Sequence, residues 1–123
     1  MRRKLLLTAV LVMVPVTALH AMNVATFLQK AEALQKRGVT ALFSSDLRLL
    51  KSEVKGASET LRSERLAAQR AGRRAAYCPP ERPSLTADEI LAHFRAIPAA
   101  QRDRMEVRDG LRGLMARKYP CRS

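Results

Sequence analysis

The side chains able to carry acid–base, nucleophilic or metal chemistry are few in this chain. It holds two histidines, His20 and His93, and two cysteines, Cys78 and Cys121. A nucleophile needs a base within hydrogen-bond reach. Processing after Ala21 would remove His20, which leaves His93 beside Phe94 on a helical stretch, the setting of a half-buried surface histidine. A metal centre needs His, Cys, Asp and Glu at ligand spacing, and no such cluster is written here. No Gly-rich phosphate loop appears either. The acidic pair Asp88-Glu89 stands at a helix start, where the helix dipole favours negative charge. These residues point to no cofactor, no metal and no enzymatic activity.

The cysteines have a different chemistry. They stand 43 positions apart, without the Cys-x-x-Cys spacing of a redox pair. Arg2, Arg3 and Lys4 precede an almost wholly apolar run from Leu5 to Ala18, followed by small residues. That is the pattern of a secretory leader, with cleavage after Ala21 or Ala18. Residues 1–21 are therefore read as a signal peptide and 22–123 as a single helical domain, periplasmic or secreted. In such an oxidising space Cys78 and Cys121 form one structural disulfide.

The elements that must position these residues are all helical by periodicity. Asn23 caps a first helix over 24–37, with Phe27, Leu28, Ala31 and Leu34 on one face and Gly38 at its end. Thr40 to Phe43 adds a short helical turn. A second helix of about 25 residues starts at Ser44 or Ser45 and ends before Gly72, with Leu47, Leu50, Val54, Ala57 and Leu61 on one stripe. Gly56 inside it suggests a bend or a close helix contact. Residues 73–85, with Pro79, Pro80 and Pro83, form the linker. Thr86 and Glu89 make a capping box, with Leu85 and Ile90 as the hydrophobic staple, opening a third helix that Pro98 ends. A fourth helix is expected from Asp103 to Lys118, with Asp103 and Glu106 at capping-box spacing. Gly110 and Gly113 in its interior imply close packing, since each weakens the helix by about 1 kcal/mol. The fold class is thus all-α, a small bundle of about four helices. Cys78 precedes the third helix and Cys121 follows the fourth, so one disulfide would clasp the ends of an antiparallel hairpin. Closing that loop is worth on the order of 4 kcal/mol in the chain-entropy model.

Charge bounds the partners. The chain carries +12, and +9 remains once Arg2, Arg3 and Lys4 are set aside. Arginine dominates, 17 against 6 lysines. Such a balance favours anionic partners: acidic proteins, anionic lipid or polymer. Nucleic acid is not expected as the partner of an exported chain. Arg104, Arg108 and Arg112, spaced by four, would line one outer stripe and are the candidate anion-binding residues. The plainer reading is a solvated face paired with Asp109. Arg73, Arg74, Tyr77, Pro79 and Pro80 are the candidate partner-binding residues, because a linker tied down by a disulfide presents side chains rigidly. For Tyr77 the plainer reading is a role covering the helix ends.

The segment Cys78-Pro79-Pro80, Ile90, Phe94, Pro98, Val107, Leu111 and Tyr119-Pro120-Cys121 resembles the C-terminal half of Tai-type immunity proteins. In that family a Cys-x-Pro opens a helical pair and an aromatic-Pro-Cys closes it. The resemblance covers about residues 77–121. It implies a small, exported, all-helical protein that binds and blocks a peptidoglycan amidase effector of type VI secretion, often as a homodimer. The family's further cysteine pair has no counterpart in residues 22–76. Two functions follow as expectations: an immunity-like protein that occludes a partner protein in the envelope, or a basic envelope protein that holds anionic lipid or polymer.

Overall fold

A computed structural model describes residues 21–122. The leader read at residues 1–21 lies, but for Ala21, outside them. Helix α1 runs Val24–Arg37, and Asn23 caps it as its spacing requires, its side-chain oxygen accepting from the Thr26 N–H at 2.8 Å. Gly38 ends it at φ 61°, a left-handed value that favours glycine. A 3-10 helix, Gly38–Phe43, turns the chain into α2, Ser45–Arg70, capped by the Ser44 hydroxyl. The end of α2 closes with Gly72 in the left-handed region and the Arg73 N–H on the Ala68 carbonyl at 2.8 Å. Gly56 has open space where a side chain would be, so it marks no close helix contact.

After the proline-rich linker, α3 runs Ala87–Ala96. Its capping box is reciprocal: Glu89 N–H donates to Thr86 Oγ1 at 3.1 Å, and Thr86 N–H to Glu89 Oε2 at 2.7 Å. Ile90 is buried and Leu85 packs half-buried against the core, as a hydrophobic staple should.

The expected fourth helix is two elements. A single turn, α4, spans Ala99–Arg102, and α5 spans Val107–Lys118. Asp103 and Glu106 form no capping box: Asp103 closes α4, and Glu106 is extended with no side-chain cap. Two tertiary contacts explain the break. Arg102 folds back onto the end of α3, donating to the carbonyls of Ile97 at 2.8 Å and Arg95 at 2.6 Å. Residues 105–106 are recruited by the start of α1 in an antiparallel bridge of Asn23 with Glu106. There Val24 N–H donates to the Met105 carbonyl at 2.8 Å, and Val107 N–H to the Met22 carbonyl at 3.0 Å. Backbone held extended by a partner cannot also be helical.

The protein is therefore an all-α bundle, with five α-helices and no strand among the described residues. Helix α5 packs on α2 and α3, and α1 packs on α2 and α3. Val24, Phe94, Val107 and Leu111 are wholly buried where they meet, with Phe27 edge-on to Phe94 at 5.3 Å between ring centres. Burying side chains of this size stabilises by about 1.5–3 kcal/mol each. Cys78 and Cys121 are disulfide-bonded, with Cα atoms 4.8 Å apart, and clasp the hairpin ends as the spacing anticipates.

Candidate functional site

The hairpin ends carry a second, polar clasp beside the disulfide. Cys78 N–H donates to the Tyr119 carbonyl at 2.8 Å. Lys118 Nζ donates to the Ser84 carbonyl at 2.7 Å and to Glu89 Oε1 at 2.6 Å. Glu89 thus serves its own helix cap with one oxygen and α5 with the other. The bond from Lys118, helped by the Thr86 N–H, holds its carboxyl below the usual carboxylate range. The same bond raises Lys118. Tyr119 OH lies on Ser84, and the bond to the Ser84 backbone is the first cause of its lowered pKa.

The linker residues divide. Arg73, Arg74 and Pro80 are exposed and Pro79 is half-buried. Tyr77 is only 4% exposed and belongs to the core, which leaves it little surface to offer a partner. Its ring and the two prolines line a groove of about 710 Å³ between the linker and α2, opposite Val54, Ser58 and Arg62. Val54, Leu85 and Ile90 also line a second, more apolar hollow of about 570 Å³ between α1, α2 and α3. The two share Lys55 as well in their lining.

The arginines do not form the expected stripe. Arg104 lies in the turn before α5, exposed and off the helix. Arg108 pairs with Glu106 at 3.3 Å and approaches Asp109 at 3.7 Å. Arg112 reaches Asp109 at 2.5 Å and crosses to Glu64 of α2 at 2.7 Å. Two of the three guanidinium groups are thus held by carboxylates, and Arg112 ties α5 to α2. This is the paired face that Asp109 suggested.

His93 packs against Gly113 and is half-buried, its Nδ1 without a hydrogen-bond partner among the described residues. Burial first, then the charge of Arg117, pushes its pKa down. No group of three or more His, Cys, Asp or Glu able to hold a metal ion occurs among the described residues.

One surface feature was not read from the sequence. The 3-10 turn presents Phe43 85% exposed, Val39 80% and Leu42 68%. The turn is nonetheless well anchored. Ala41 and Ser44 are buried, Arg37 Nη1 donates to Ser44 Oγ at 3.3 Å, and Thr40 Oγ1 donates to the Arg37 carbonyl at 2.8 Å. Leu49, on the second turn of α2, is also exposed, and Lys36 and Arg48 are exposed cations on the flanking helices. The available signal was three large apolar residues between Gly38 and Ser44, out of phase with both helix stripes.

Compared with protein-family models, curated protein sequences and solved structures, the chain matches none. Among the described residues no helix is long and apolar enough to cross a membrane.

Proposed function

We propose that this chain is an exported, non-enzymatic binding protein, immunity-like, that occludes a partner protein with the apolar turn between α1 and α2. The observation that carries the reading is the exposure of Val39, Leu42 and Phe43 on an anchored turn. Large apolar side chains grouped in the open mark interaction surfaces more often than chance exposure does. A turn already ordered before binding loses little conformational entropy on docking. The exported setting is supported by the leader-like start and the Cys78–Cys121 bond. The resemblance of the hairpin to Tai-type immunity proteins names the partner class, a peptidoglycan amidase acting in the envelope.

The test is inhibition. Oxidised protein is titrated against any peptidoglycan hydrolase found encoded beside it, with Phe43→Ser and Leu42→Ser run in parallel. The native protein should inhibit and both variants should lose inhibition while keeping the native Tm. A native protein that neither binds nor inhibits that hydrolase removes the immunity reading.

A second reading has its own observation. Lys36 and Arg48 flank the apolar turn, the arrangement of a surface that enters an anionic bilayer interface. It predicts binding to anionic vesicles that falls steeply with salt, because exposed charges are screened over about 10 Å at 0.1 M. Absence of vesicle binding at low salt removes it.

A further inference from the structure

Met22 is the first of the described residues with a backbone tie to the fold. Its carbonyl accepts from Val107 N–H at 3.0 Å, and the next bond, Val24 N–H to Met105, is 2.8 Å. Its own N–H points at the Glu53 carboxylate of α2, 3.3 Å from Oε1. Ala21, one residue earlier, is exposed and irregular. No side-chain cation of the described residues lies within ion-pair distance of Glu53. Glu53 is thus a half-buried carboxylate that accepts, among the described residues, from the nitrogen of Met22.

We infer that the mature chain begins at Met22 and that Glu53 receives its new terminal ammonium. This rests on the exported reading above. Water, with an envelope endopeptidase as catalyst, adds across the Ala21–Met22 amide. The C–N bond breaks, Ala21 leaves carrying the new carboxylate, and the nitrogen stays on Met22 and takes a proton to become an ammonium. That charge appears two residues ahead of Val24, at the positive end of the α1 dipole, where a cation is unfavourable. Glu53 neutralises it at that place and exchanges a neutral N–H bond for a charge-assisted one, the stronger kind. Cleavage after Ala18 would put the ammonium three residues further out, at Leu19, and leave Glu53 facing an ordinary peptide N–H.

The experiment exports the full chain through its own leader and weighs the intact product. A mass beginning at Met22 is expected. A mass beginning at Leu19 overturns the inference while the exported reading stands, and an uncut chain overturns both. The same product is then melted with and without Glu53→Gln, before and after selective acetylation of the terminal amine. Glu53→Gln should lower Tm by about 2–6 °C in the free-amine form, the shift expected of a modest ion pair in a domain of this size. Acetylation should shrink that shift to less than half. An equal shift in both forms overturns the role given to Glu53.

Discussion

Gly110 of α5 lies against the ring of Phe94 of α3: a Cβ at position 110 would stand 2.7 Å from Phe94 Cε1 and 3.2 Å from Val24 Cγ2. Phe94 and Val24 are both wholly buried, so neither can give way. The absent side chain lets α1, α3 and α5 converge on one point, which also lies close to the Asn23–Glu106 bridge.

Gly110→Ala should therefore destabilise even though alanine is the better helix former. Overpacking of about 1–3 kcal/mol outweighs a propensity gain of about 1 kcal/mol. Gly56→Ala meets open space and should stabilise by about 0.5–1 kcal/mol. Urea denaturation of the two variants beside the native protein reads both signs. The same sign for both would contradict this packing.

The two glycines show what the sequence carries and what it does not. Both interrupt a helical stripe, and nothing local separates the one in contact from the one in the open. Features written within a few residues were legible: Asn23 as a cap, the Thr86–Glu89 box, and the ends of α1 and α2; the disulfide, though it spans 43 positions, was legible because the chain holds only two cysteines. The break between α4 and α5 was not, because Met105 is held by Val24, a partner far away in the chain, while Arg102 turns back on the carbonyls that end α3. The same limit hid the site. Arg104 leaves its stripe once the helix starts at Val107. Phe43 reads only as part of a short helical turn, and its exposure shows once that turn is placed between α1 and α2.

Glu89 gives the fold a defined acid sensitivity. Its carboxyl is held low chiefly by Lys118, so folding is favoured by its ionised form. That contribution is complete above the usual carboxylate value of about 4 and is lost as pH falls below it through the folded-state value. Glu89→Gln should lower Tm at neutral pH and flatten the fall of Tm on acidification. A variant whose acid limb overlays the native one would show that Glu89 does not hold the clasp.

Loss of the disulfide should be the largest single effect. Cys78→Ser with Cys121→Ser should cost about 2–4 kcal/mol, read as a lower urea midpoint at similar slope. The Lys118 bonds to Ser84 and Glu89 keep the hairpin ends together in the variant, so its far-ultraviolet circular dichroism should stay helical at low temperature. An unchanged midpoint would mean that these polar bonds alone close the hairpin.

The proposal that the anchored apolar turn is the binding surface is tested most directly by titrating oxidised native protein and Phe43→Ser into a peptidoglycan amidase, the proposed partner, and following the heat of binding. Truncating one central aromatic anchor commonly costs 2 kcal/mol or more, so the variant should bind at least about 30-fold more weakly with an unchanged Tm. Equal affinity of the two proteins would contradict the account.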